Sequence, residues 1–322
     1  MIGRGHQVNH GAPKRMRIAA FSFWIFLFGV SLLLDLPAWA GGIPNSNQKV
    51  RACGVRIPPR KRAAMSGSQF LCHIAGMDER QREAAIRDAL LQGDLPNFLR
   101  RFKPVTLSHV FGDGRRVKAT ILVMPDYLAV GSDDDFVRMP MNLRTAGEVA
   151  ARMGCLLPTR KMVDAIYRQS DYHFKPEPMA PGPRMRSTAY YRIHNGKIRS
   201  QRLAAGIALG QLVSGHKKDV VISNRLLLKK DRIAIYGWHR PTGMPIQPLS
   251  IVHGAGYADY SHGIRLVSDT VLIDGRPQSL NKALADPRLA PLFSDEGVIH
   301  NARWMMKQAD VYLSLQQRKP RW

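Results

Sequence analysis

The chain has 322 residues, 45% of them hydrophobic and 22% charged, which excludes a largely disordered protein and leaves one large domain or two small ones. Its formal net charge at pH 7 is +24, from 48 Lys and Arg against 24 Asp and Glu, so its expected partners are anionic.

The N-terminus reads as a targeting segment. Lys14, Arg15 and Arg17 form a basic region, Ile18 to Leu34 an apolar run, and Ala38-Trp39-Ala40 an A-x-A site. That order is a secretory signal peptide over residues 1–40, cleaved after Ala40; Met16 is an alternative start. The mature protein is then expected to be secreted or periplasmic, with no permanent membrane anchor. Cleavage removes Arg4, Lys14, Arg15, Arg17 and Asp35, which lowers the +24 by three to +21. Outside the cytoplasm the matching anions are cell-envelope polymers, surface glycans or lipid headgroups, and nucleic acid is not expected. A monomer is expected.

Residues 41–76 read as a basic, poorly ordered segment around Pro58-Pro59-Arg60-Lys61-Arg62, ahead of a single domain over 77–322. Cys53 and Cys72 could pair, leaving Cys155 as a buried inert thiol. Asp78 caps a helix to about Gln92, with Ala85, Ile86, Ala89 and Leu90 inward and Arg80, Arg82 and Arg87 toward water. Residues 105–124 form a hairpin on the Asp113-Gly114 turn, and a strand follows over Tyr127 to Val130. Asp133, Asp134 and Asp135 read as a solvated turn.

Thr145 to Glu148 has the capping-box spacing and opens a helix that ends at Gly154. A further helix spans Thr159 to Gln169, with Met162, Val163, Ile166 and Tyr167 inward. The four prolines between Lys175 and Arg184 make a loop and a possible lobe boundary near 175–185. Asn195-Gly196 reads as a hairpin turn. Short β-rich runs follow at Val220–Ile222, Ile233–Trp238, Leu249–Val252, Ile264–Val267 and Val271–Ile273. Asp274-Gly275 turns the last of them, and a helix covers His300 to Leu315. The fold class is α+β, an antiparallel β-rich core in the C-terminal half with helices mainly from the N-terminal half.

Chemistry concentrates between Gly215 and Arg265, where four of the 11 histidines fall among glycines. Histidine binds metals and moves protons near neutral pH. His216, His239 and His253 are the candidate zinc ligands, with Asp259 and His262 as further donors. His262, Asp259, Arg265 and Tyr257 are the candidate catalytic residues. Trp238, Tyr236 and Tyr260 are the candidate substrate-binding aromatics.

Two short resemblances bear on this stretch. The run Tyr236-Gly237-Trp238-His239 resembles the aromatic-His element of zinc-dependent cell-wall peptidases, with the order of elements reversed and Tyr236 where a glutamate is expected. Ser261-His262-Gly263 with Arg265 resembles the Ser-His-Gly-Cys-x-Arg signature of L,D-transpeptidases, and His253-Gly254 their upstream His-Gly. The likeness covers about a dozen of the 322 residues. Ile264 stands where the nucleophilic cysteine is expected, so thioester chemistry does not carry over, and neither family is assigned.

The leading expectation is an exported hydrolase of a cell-envelope polymer. In a metal version, three of the donors bind zinc and activate water. In a metal-free version, His262 is a general base oriented by Asp259, water attacks, and Arg265 or Tyr257 stabilises the oxyanion. Ser261 is disfavoured as nucleophile, because neighbours on a strand point to opposite faces. The alternative is a non-catalytic basic module that binds anionic cell-wall or surface glycans by ion pairing and stacking.

Overall fold

The computed structural model describes residues 54–303, 305 and 306, and they form an α+β fold. The expected signal peptide, Cys53 and most of the expected C-terminal helix lie outside the described residues. No helix among the described residues is long and apolar enough to cross a membrane.

The segment expected to be poorly ordered contains helix α1, Gly67–His73. Ser66 and Gln69 close a capping box there: each side chain accepts from the other's backbone N–H. Phe70, Leu71 and Ile74 are buried, which ties this segment to the core. Helix α2 (Glu79–Leu91) has the expected Asp78 cap and an inward Ile86, Ala89 and Leu90. Arg82 departs from expectation. It is buried, donates to the Arg186 carbonyl at 3.0 Å, and lies 5.5 Å from the centre of the Tyr191 ring.

Strands β1 (Lys103–Val110) and β2 (Arg116–Val123) form the expected hairpin, with Lys103 opposite Val123. Strands β3 (Ala129–Gly131) and β4 (Phe136–Arg138) form a second, across the aspartate-rich turn. Those aspartates hold backbone: Asp133 accepts from the Phe98 N–H and Asp135 from the Ser68 N–H, each at 3.1 Å. Helix α3 (Leu143–Arg152) starts earlier than expected. Asn142 is the cap, accepting from the Thr145 N–H at 2.9 Å, and Thr145 falls inside the first turn. Strand β5 (Cys155–Leu156) carries the buried Cys155, whose thiol burial pushes well up, as an inert core thiol requires. Helix α4 (Arg160–Arg168) follows on its Thr159 cap, with Met162, Val163, Ile166 and Tyr167 buried.

After β6 (Tyr172–His173) and the proline loop, α5 (Thr188–Ala204) replaces the hairpin expected at Asn195-Gly196. Tyr190, Tyr191, His194, Ile198 and Arg202 recur on one buried face and hold the helical period through the Gly. Asn195 packs outward from the axis: its amide donates to the Phe136 carbonyl and its carbonyl accepts from Arg138. Tertiary contacts here override a local turn signal.

The remaining elements are β7 (Val213–Ser214), β8 (Lys218–Val220), α6 (Arg225–Leu228), β9 (Ile235–His239), β10 (Pro245–Ser250), β11 (His262–Gly263), β12 (Val267–Ser268), β13 (Thr270–Ile273), β14 (Arg276–Ser279), α7 (Leu280–Ala285) and α8 (Ala290–Phe293). The larger sheet runs β14-β13-β2-β12-β5, with β1 also on β2, and is antiparallel. The smaller runs β10-β9-β8-β11. Its last step, β8 to β11, is parallel and sets His262 beside Lys218 and Gly263 beside Asp219.

Candidate functional site

The parallel β8–β11 step builds the site. The Lys218 N–H donates to the Ser261 carbonyl at 2.8 Å, and the Trp238 N–H to the Lys217 carbonyl at 3.1 Å. Strands β9, β8 and β11 are thereby held side by side. The loop before β11 curls around Asp259. Its Oδ1 accepts from the Ser261 N–H (2.7 Å) and Oγ (2.5 Å), and its Oδ2 from the Tyr257 hydroxyl (3.0 Å). The Tyr257 ring stacks on His253 at 4.1 Å and meets the His262 ring edge-on at 5.7 Å. The Arg186 guanidinium lies 5.2 Å from the centre of the Tyr257 ring. Lys218 lies over Trp238 with Nζ 5.1 Å from the ring centre. Trp238 holds φ at +56°, a region costly for a side chain of this size.

His253, Tyr257, Asp259, Ser261, His262, Lys218 and Trp238 thus share one place. His253, Tyr257 and Lys218 are partly exposed, while Asp259, Ser261 and His262 are buried behind them. Neither ring nitrogen of His262 has a hydrogen-bond partner of good geometry, and the same holds for Trp238 Nε1. Burial lowers the His262 pKa to about 4, against the pull of Asp259, so the imidazole is neutral at pH 7. Burial pushes Asp259 up, but the charges of His262 and Lys218 and the two Ser261 bonds hold it below its ordinary value. Burial and Asp259 together push the Tyr257 hydroxyl well up, so it stays protonated.

Lys217, next along β8's entrance, is buried with its ammonium on the Tyr260 carbonyl. Burial and Arg138 lower its pKa to about 7. His194 of α5 is fully buried, 5.1 Å from Tyr260, with both ring nitrogens unpartnered; burial and Lys217 hold it well below its usual pKa. Gly263 makes this packing possible. A Cβ there would lie 2.6 Å from both Lys217 Cβ and the Tyr127 ring. Gly263→Ala is expected to destabilise by about 1–3 kcal/mol, the usual cost of overpacking. Chemical denaturation checks this, and an unchanged midpoint would show that the strand can move aside.

The other sequence candidates lie elsewhere. His216 Nε2 sits 3.0 Å from Asp126. His239 Nε2 sits 3.2 Å from Asp164, and Tyr167 stacks on its ring at 4.4 Å. With His253 on Tyr257, the three expected zinc ligands stand on three different partners. Among the described residues no group of three His, Cys, Asp or Glu side chains is arranged to hold a metal. Arg265 is interior: it donates to the Met124 and Val213 carbonyls at 2.7 Å, and its guanidinium lies 4.4 Å from the Tyr127 ring centre. The expected aromatic platform is interior as well. Tyr236 donates to Asp164 at 2.8 Å, and the buried Tyr260 hydroxyl accepts from the Met179 N–H at 2.7 Å.

Lys217, His194 and Arg186 were not legible as site residues. In the sequence Lys217-Lys218 looks like a solvated charge pair, and His194 sits in an apparent turn. Compared with known family models, curated proteins and solved structures, the chain matches none.

Proposed function

We propose that the protein is an exported hydrolase of a cell-envelope polymer, with His262 as the general base. One observation carries the reading. A neutral imidazole lies buried with neither ring nitrogen in a hydrogen bond of good geometry, the Met141 carbonyl facing it, beside a carboxylate that holds a tyrosine hydroxyl. An unsatisfied buried polar group costs about 1–3 kcal/mol. Native structures leave few such groups, and reaction sites are among the places where they persist.

In this reading water reaches the imidazole when the Tyr257 ring swings aside. His262 takes a proton as the water oxygen attacks a carbonyl carbon. The oxyanion accepts from the Tyr257 hydroxyl, turned from Asp259, and from the Lys218 ammonium. Collapse breaks the bond to the leaving amine or alcohol, which takes the proton back from His262. Asp259 stabilises the imidazolium between these steps. Ser261, fully buried with its hydroxyl on Asp259, is a positioning residue.

The glycan-binding alternative draws less support, because Trp238 and Tyr260 are buried and Lys218 already covers the Trp238 ring. The test is release of new amino groups or carboxyl groups from purified envelope polymer. His262→Gln is expected to lower the rate about 10²- to 10⁴-fold with the fold intact. Full activity in His262→Gln, or no release by the native protein, would overturn the reading.

A further inference from the structure

Half of the large apolar side chains that stand exposed among the described residues fall between Leu227 and Val252. The tightest group comes from two segments. Leu227 and Leu228 end α6, and Val252 follows β10. Leu228 is 83% exposed and Val252 73%. Leu226, one position earlier in α6, is buried, so this short helix anchors one leucine and turns the next two outward.

The two segments are bound together. Arg225 donates to the Leu249 carbonyl and Arg232 to the Val252 carbonyl, each at 2.8 Å. The Ile233 N–H donates to the His253 carbonyl at 3.1 Å, and the Ala255 N–H to the Asp231 carbonyl at 3.0 Å. Asp231 turns the chain with φ at +56°, and Arg144 holds its carboxylate at 2.6 Å. The apolar tips are therefore presented by a fixed turn.

Charge surrounds them. Lys229 and Lys230 follow Leu228 directly, are exposed, and make no ion pair or hydrogen bond among the described residues. Asp231 is the only acid of residues 225–232, and its charge is answered by Arg144. The patch is aliphatic at its tips and positive around them.

That chemistry selects the partner. Exposed leucines scattered singly need no explanation, but a fixed cluster rimmed by lysines marks an interaction surface. The core of a protein–protein interface is rich in aromatics and poor in lysine. A sugar or nucleotide polymer is met by aromatic stacking. Leu227, Leu228, Val252, Lys229 and Lys230 fit neither pattern. They fit a lipid surface, where aliphatic tips enter the headgroup layer and ammonium groups stay at the phosphates. We propose that α6 and the end of β10 form a docking patch for an anionic phospholipid membrane, with Leu228 and Val252 as the inserting side chains. The protein lies on the membrane at this patch and does not cross it there.

The patch borders the candidate site. Val252 precedes His253, whose ring stacks on Tyr257 at 4.1 Å, and Arg232 pairs with Gly254 in a β-bridge. Docking brings the partly exposed His253 and Tyr257 to the membrane face, where the polymer they meet is polymer held close to lipid. That role rests on the hydrolase reading; the docking itself does not.

The experiment is amide hydrogen exchange of the full chain, alone and with vesicles of phosphatidylcholine or of equal parts phosphatidylcholine and phosphatidylglycerol. Exchange is read segment by segment, so adhesion through another part of the chain does not count as docking here. Residues 225–232 and 249–253 are expected to slow on the mixed vesicles and not on phosphatidylcholine. Each of Lys229→Gln and Lys230→Gln should cut the slowing about fivefold, the factor by which one basic residue strengthens adhesion to an anionic leaflet. Leu228→Glu with Val252→Glu should abolish it, with the unfolding midpoint unchanged because both positions are exposed. No slowing of the two segments on mixed vesicles, equal slowing on phosphatidylcholine, or equal slowing with the soluble polyanion heparin would overturn the proposal. His262→Gln should dock like the native protein. Lost hydrolysis with retained docking then leaves the patch standing, and native hydrolysis without docking leaves only His262 standing.

Discussion

Asp126→Asn is expected to destabilise the protein by about 3–5 kcal/mol, the cost of breaking a buried ion network by removing one partner. Asp126 is 1% exposed and lies between two arginines. Arg138 reaches it twice, at 3.0 Å to Oδ1 and 2.6 Å to Oδ2, and Arg202 reaches Oδ2 at 3.1 Å. The Tyr127 N–H and His216 Nε2 complete its shell at 2.7 and 3.0 Å. Burial alone would raise this carboxyl; Arg138 and His216 hold it well below its ordinary value. Burial lowers the His216 pKa to about 4, so at pH 7 the histidine is neutral and the carboxylate answers two guanidiniums. An amide in its place strands both positive charges in the interior. Because the folded pKa is depressed, the carboxylate's contribution is present above its unfolded pKa and lost as pH falls through the folded one. The midpoint of urea unfolding reads the effect, with the exposed turn residue Asp113→Asn as a control expected to change little. A loss below about 1 kcal/mol in Asp126→Asn would show that the arginines find other acceptors.

Stability is also expected to rise with alkali, from about pH 7 to about pH 10, chiefly through Lys217. Burial, then Arg138, lower this amine from an ordinary 10.5 to about 7. In that window the unfolded chain binds a proton that the folded chain does not, so stability increases with pH. Below pH 7 both states carry the charge and the slope from this residue vanishes. His216 and His262, each lowered to about 4, act in the same sense between about pH 4 and 6.5. There they are opposed by Asp219, raised to about 6 by burial, and by Glu83, raised to about 7. Groups with raised acid pKa values lose stability as pH rises, so the acidic limb is flattened. On the alkaline limb Cys155 and the buried tyrosines, raised by burial, oppose the rise only from about pH 9 upward. Lys217→Met is expected to remove most of the rise, about 2–4 kcal/mol, in thermal or chemical unfolding followed against pH. An identical alkaline rise in Lys217→Met would assign it to other groups.

Much of the fold was legible because it is written locally. Asp78 and Thr159 announce their helices, and Asp113-Gly114 and Asp274-Gly275 their hairpins. Where distant contacts decide, local signals misled. Asn195-Gly196 is a turn signal placed inside a helix that a buried face holds together. Thr145 has the right spacing for a cap, yet Asn142 is three residues earlier and takes the role. The site divides the same way. Tyr257, Asp259 and His262 are close in sequence and remain close in space. His216 and His239 are held by Asp126 and Asp164, each more than 70 positions away in the chain. Such partners leave no mark on local spacing.

The larger sheet has a consequence for how the chain acquires its shape. Strand β2 lies between β1, its immediate hairpin partner, and two strands from near the C-terminus, with Thr120 opposite Leu272. About 150 residues separate that pair, so the hairpin forms early and waits for most of the chain before its other edge is covered. The slow event in folding is then the arrival of β12 and β13, and until it occurs the second backbone edge of β2 is unpaired and open to other strands. A nascent chain stopped short of Val267 cannot complete the sheet, so aggregation competes with folding from the emergence of the hairpin until β12 and β13 have been made.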